Sequence, residues 1–223
     1  MENSRQSSLF DFLGNKVETE ENMKQEVTDG DSFTAAREAQ TLGDWAEKCY
    51  ACSGCQLRQG CRHPVFGEGN PETDLMLVGE APGADEDRQG LPFVGRAGQL
   101  LNRILEAIGM SREEVYITNV IKCRPPGNRL PEAGEVKECF PYLEKQIEII
   151  DPEIVVCLGS LSTRTLIRKD AKITRMRGQW VKQGERWYMP TFHPAALLRD
   201  VNKKKPVWED FQKIRSLLDE LTQ

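Results

Sequence analysis

No stretch of this 223-residue chain approaches the roughly 18 consecutive apolar residues that a membrane span needs. The opening MENSRQSS lacks the basic-then-apolar pattern of an export signal, so a cytoplasmic protein is expected. Surplus positive charge is missing too: the formal net charge is -5, which taken as a whole argues against electrostatic capture of nucleic acid. The position of the charges changes that conclusion. Residues 1–40 carry nine acids against four bases, leaving 26 of each sign in residues 41–223. The imbalance therefore lies entirely in the first segment, and the neutral remainder is free to present a local basic face, with Arg199, Lys203, Lys204 and Lys205 as its obvious cluster.

What is present begins with that acidic segment. Residues 15–32 are polar and acidic with little to bury and read as a disordered linker, so residues 1–40 form a tail and residues 41–223 a single folded domain. Ahead of the linker, residues 6–13 read QSSLFDFL; one helical turn there puts Leu9, Phe12 and Leu13 on one face and leaves Phe10 to fill a neighbouring pocket. Large apolar groups in a tail that cannot bury them call for a partner. The segment from Gln6 to Leu13 resembles sliding-clamp-binding peptides.

Seven cysteines, Cys49, Cys52, Cys55, Cys61, Cys123, Cys139 and Cys157, are too many for chance and sit in the wrong compartment for disulfides. Cys157 belongs to an apolar strand and reads as a small buried hydrophobe. Four of the other six suffice for a zinc or [4Fe-4S] centre. Either Cys49/Cys52 or Cys52/Cys55 supplies a CxxC pair, and Cys123 with Cys139 brackets a proline-rich loop. The ferredoxin pattern is excluded, because five residues separate Cys55 from Cys61 and no proline follows.

Apolar strands are expected at residues 75–78, 115–118, 154–158 and 187–192, alternating with helices, which argues for a mostly parallel sheet covered on both faces. A helix follows Ala97, a second is expected at 139–149, and the last at 207–221. Three chemistry-bearing groups fall at strand ends, where open α/β sheets place ligands. The first is the loop GEAPGADED at 79–87 followed by PFVG at 92–95, with carboxylates Glu80, Glu86 and Asp87 and the aromatic Phe93. The second is Asn119 and the third is His193. An Asn amide matches the O4 and N3–H edge of uracil, and an imidazole can donate to charge developing on O2.

These motifs, with VFGEGNP at 65–71, PFVGRAGQLLNRIL at 92–105, YITN at 116–119, KCRPP at 122–126 and HPAALLR at 193–199, closely resemble the iron-sulfur uracil-DNA glycosylases called family 4. The resemblance implies a three-layer α/β/α sandwich with a four-stranded, mostly parallel sheet. It also implies a [4Fe-4S] cluster on Cys52, Cys55, Cys123 and Cys139; Cys49 and Cys61 match no family ligand position. By position, Phe93 stacks on uracil, Asn119 reads its edge, His193 stabilises O2, Glu80 and Ala81 line the base, and Glu86 organises water. Ala81 stands where better-known uracil glycosylases place an aspartate. The histidine of the related DNA-cross-linking branch is missing from residues 122–131, so turnover is expected.

The implied activity is hydrolysis of the N-glycosidic bond of uracil in single- or double-stranded DNA, within base excision repair, by a monomer. Since a base inside a duplex is unreachable, the nucleotide must flip. Leu197 or Leu198 is then the expected wedge into the vacated stack, and Arg199 the phosphate contact. An electron-transfer protein would leave Phe93, Asn119 and His193 idle, and a zinc-stabilised binding module would release no uracil.

Overall fold

Strand β2 (Leu75–Gly79) is buried along its whole length, which only a strand covered on both faces achieves. The computed structural model describes residues 41–222; the clamp-binding segment expected at 6–13 and the acidic stretch at 15–32 lie outside the described residues. The elements run α1 (Leu42–Tyr50), α2 (Leu57–Gly60), β1 (Glu68–Gly69), β2, α3 (Ala84–Gln89), α4 (Arg96–Ala107), β3 (Tyr116–Asn119), α5 (Ala133–Ile150) and β4 (Ile154–Leu158). They continue as α6 (Ser160–Leu166), α7 (Ile173–Met176), β5 (Val181–Gln183), β6 (Arg186–Thr191), α8 (Pro194–Arg199) and α9 (Lys204–Leu221).

The sheet has six strands in the order β1-β3-β2-β4-β6-β5. Its four central strands are parallel, in register at Val78 with Thr118 and Cys157, as expected. The expectation of four strands omits two short edges: β1 joins β3 and β5 joins β6, both antiparallel. Neither edge strand has a buried residue, and so neither carries the apolar run that reveals a strand in sequence.

Alternation along β2 divides the core into two layers. Leu75 and Leu77 pack with Leu101 and Leu105 of α4 and with Phe211, Ile214 and Leu218 of α9. Met76 and Val78 face the other way, against Phe140, Leu143 and Ile147 of α5. Truncating a fully buried leucine such as Leu101 to Ala in such a layer costs about 2–5 kcal/mol. Helix α5 begins six residues earlier than expected, at Ala133, because Glu135 Oε2 accepts from the Glu132 amide (2.7 Å) and caps it; Pro141 lies within its continuous span. With all four parallel strands pointing the same way, the ends of β2, β3 and β6 bring residues 79–93, Asn119 and His193 to one edge.

Candidate active site

Gly79, the last residue of β2, has no side chain where one would strike the Asn119 amide and the Phe93 ring. That omission lets three elements converge. Phe93 is buried and holds a left-handed backbone (φ 52°), a strained conformation for an aromatic residue. Two charged groups hold it from either side. Glu86 Oε1 accepts from the amides of Val94 (2.9 Å) and Gly95 (2.8 Å), and its Oε2 accepts from Gly83 (3.1 Å). Arg112 donates to the carbonyls of Phe93 (3.2 Å) and Pro92, and is itself fixed by Glu68 at 2.8 Å.

Asn119 ends β3 and is 2% exposed. Its carbonyl accepts from Lys122 Nζ at 2.8 Å, and the same buried ammonium donates to Thr118 Oγ1 (2.7 Å) and Gln146 Oε1 (2.6 Å). Burial pushes the Lys122 amine down to about 8. Three acceptors around one short donor group fix the turn that follows Asn119.

His193 leads into α8 and stacks on Phe93, with ring centroids 5.4 Å apart at 27°. Its Nδ1 accepts from the Ala195 amide at 3.1 Å, so the proton of the neutral ring sits on Nε2. Burial, reinforced by the nearby Arg199 charge, pushes the imidazole down to about 4. The ring is therefore a neutral donor at physiological pH, suited to meeting negative charge as it develops. Gly159 lies against its Cβ with φ 98°, where a larger residue would be both strained and crowded. The preceding Thr191 is fixed by donating to the fully buried Asp210 (2.6 Å), which also pairs with Arg177.

Glu86, Phe93, Asn119 and His193 line one pocket of about 440 Å³, together with Glu80, Ala81, Pro125, Asn128, Leu130 and Arg199. The volume suits a flipped base with its sugar. Burial raises the Glu80 carboxyl above its usual range, opposed by Arg164.

On the α5 side, Cys52, Cys55, Cys123 and Cys139 line a second, smaller cavity with Cys49, Leu57, Ile121 and Tyr142. All seven cysteines are free. The Gly54 amide donates to Cys52 Sγ (3.4 Å) and the Lys122 amide to Cys139 Sγ (3.2 Å). Among the described residues, no three His, Cys, Asp or Glu side chains are grouped to hold a single ion. Thiols spread around an apolar cavity, two of them receiving N–H···S bonds, are a donor set that fits an iron-sulfur cluster. Cys49, in α1, both lines this cavity and packs with Trp45, Phe66 and Tyr142, whereas Cys157 is fully buried in β4.

The family model described as the uracil DNA glycosylase superfamily matches residues 66–212, a span that takes in the whole pocket. The chain belongs to this superfamily. A type-4 uracil-DNA glycosylase of Sulfurisphaera tokodaii is 47% identical over 77% of this chain and 82% of its own length. One of Thermotoga maritima is 42% identical over 78% of this chain and 92% of its own. Type-5 similarity is weaker: a protein of that name from Pyrobaculum aerophilum is 32% identical over 60% of this chain.

Within this glycosylase fold, Glu80, Ala81, Glu86, Phe93, Asn119, His193 and Arg199 all come to the one pocket. The structure places Leu197 in the core, 2% exposed and packed with Leu101 and Phe211, because α8 turns it inward, which contradicts the exposed position expected of it. Leu198 (40% exposed) and Arg199 face outward. Both oxygens of Glu86 are engaged by loop amides, which makes it a brace for Phe93. Sequence reasoning missed Arg112 and Lys122. Arg112 acts on a loop some twenty residues away, which no local pattern signals; a lysine between a strand and a cysteine motif gave a faint sign of Lys122.

Proposed function

We propose that this glycosylase-family chain excises uracil from DNA in base excision repair, leaving an abasic site. The observation that carries this reading is the stack of Phe93 on a neutral His193 beside the buried Asn119. A uracil flipped into the pocket stacks on Phe93, and flipping costs a few kcal/mol that stacking and backbone contacts offset. The Asn119 amide accepts from N3–H and donates to O4, while Glu80 and Ala81 flank the base and Glu80 screens C5 against a methyl group.

As the bond from C1′ to N1 breaks, its electron pair moves onto the uracil ring. The His193 Nε2–H meets the charge gathering on O2. Water then adds its oxygen to C1′ and the proton it loses goes to the departing uracil anion, giving free uracil and an abasic sugar. Glu86 and Arg112 act at one remove, by holding Phe93 in its strained backbone.

Cys52, Cys55, Cys123 and Cys139 hold a [4Fe-4S] cluster in this reading, with Cys49 and Cys61 outside the ligand set. When bound, the cluster supplies a structural cross-link between the residue 52–55 turn and both ends of the 123–139 segment; glycosidic hydrolysis moves no net electrons. Leu198 enters the vacated stack and Arg199 binds phosphate. Residues 6–13 dock on a sliding clamp, which would hold a body without net charge beside DNA. A cytoplasmic monomer completes the reading, since clustered cysteines that serve as cluster ligands fit a reducing compartment. Among the described residues no helix is long and apolar enough to cross a membrane.

The test is incubation with single- and double-stranded oligonucleotides carrying one uracil, then alkali. Strand scission at the uracil and nowhere else is expected. Intact strands after complete binding would overturn the reading.

A further inference from the structure

Leu130 is 67% exposed, in a domain whose large apolar side chains are mostly buried. Its exposure does not come from a loose loop. Arg129 makes a two-pronged pair with Glu135 (2.6 and 2.8 Å), a carboxylate 8% exposed, and also donates to the Leu130 carbonyl at 3.0 Å. Arg124 Nε donates to Asn128 Oδ1 at 2.8 Å, and the amides of Asn128 and Arg129 bond back to Pro125 and Pro126. Gly127 and Asn128 are successive left-handed residues (φ 61° and 56°), which reverse the chain and carry Leu130 to the rim of the pocket. The loop leaves Cys123 and enters the helix that carries Cys139, so the cysteine centre anchors both ends.

The strand order decides where this leucine stands. Strands β3 and β6 are separated by β2 and β4, so the loop after β3, bearing Leu130, and helix α8 after β6, bearing Leu198, flank the base pocket from its two sides. Leu130, Arg129 and Arg199 line the opening, and the exposed Leu198 precedes Arg199 on α8.

We propose that Leu130 is a second apolar contact with duplex DNA, pressing on the bases beside the flipped nucleotide from the side opposite Leu198. The proposal rests on the uracil-excision reading. It commits to duplex DNA as the occupant because Leu130 lines the pocket that takes the base, and the exposed Arg199 on the same lining fits phosphate. Two points of pressure, one from each side, hold the neighbouring pairs apart while the nucleotide is out.

The experiment uses the full-length protein and its Leu130→Ala and Leu130→Gln variants in single-turnover excision. Substrates are one uracil in a duplex and the same uracil in a single strand, with 2-aminopurine next to it to report unstacking. The ratio of duplex to single-strand excision is expected to fall roughly ten-fold, with a smaller fluorescence rise on binding to the duplex. Equal loss on both substrates would overturn the proposal by assigning Leu130 to the base pocket. Unchanged duplex excision would overturn it too; if accompanied by a lower melting temperature, it would assign Leu130 a partner within the chain. Failure of the wild type to excise uracil from either strand would instead overturn the underlying reading.

Discussion

Replacing Glu86 by Gln separates a carboxylate that braces the Phe93 loop from one that activates water. The three amides it receives belong to Gly83, Val94 and Gly95, on both sides of the strained Phe93. A carboxamide keeps the shape but offers one acceptor oxygen in place of two. If that oxygen serves Val94 and Gly95, the new NH₂ points at the Gly83 amide, donor against donor. Loss of one charge-assisted bond is worth about 1.5–3 kcal/mol. The left-handed backbone of Phe93 stores about 1–3 kcal/mol, so a weakened brace lets the ring leave its stack on His193. The same loss of positioning slows single-turnover uracil release roughly 10- to 150-fold and lowers the melting temperature by roughly 3–12 °C. Rates measured by rapid quench from pH 5 to 9 should fall in parallel at every pH. An unchanged melting temperature, with a loss of about 10³-fold or more and disappearance of the acidic limb of the profile, would refute bracing and make Glu86 the base.

Burial lowers the His193 imidazole from 6.5 to about 4, so the ring should stay neutral down to about pH 5, with the Nε2–H tautomer in ¹⁵N NMR spectra. The unfolded chain takes up this proton near pH 6.5 and the folded one resists to about 4. This group therefore erodes stability as pH falls through that interval and is without effect above it. Replacement of Cys52, Cys55, Cys123 or Cys139 by Ala should each remove colour and iron, whereas Cys157→Ala keeps both. Bleaching by Cys49→Ala but not by Cys55→Ala would shift the ligand pair to Cys49/Cys52. Replacing Leu9 and Phe10 by Ala should abolish recovery on a sliding clamp without changing excision from a short oligonucleotide, and equal recovery in a pull-down would remove the clamp from the account.

The four parallel strands were legible because burial on both faces writes a continuous apolar run, as in Leu75 to Val78. Strands β1 and β5 were not, since Glu68, Gly69 and Lys182 sit at partly solvated edges with no pattern to betray them. Asn119 and His193 stood out because a polar residue at the end of an apolar strand points at a ligand edge. The choice between Leu197 and Leu198 depended on how far α8 rotates, which two adjacent leucines cannot reveal. Arg112 and Lys122 escaped notice for another reason. Their roles lie in donating to backbone carbonyls, Pro92 and Phe93 in a distant loop for one and Asn119 three residues back for the other, and backbone carbonyls leave no trace in a residue pattern.

The central claim is that Asn119 and His193 carry the chemistry in the pocket floored by Phe93, and single-turnover uracil release by Asn119→Ala and His193→Ala tests it most directly. Each variant should fold, bind DNA and release uracil slower by on the order of 10²-fold or more, since a buried edge contact or a donor to developing charge is lost. Release at close to the wild-type rate by either variant would contradict the account.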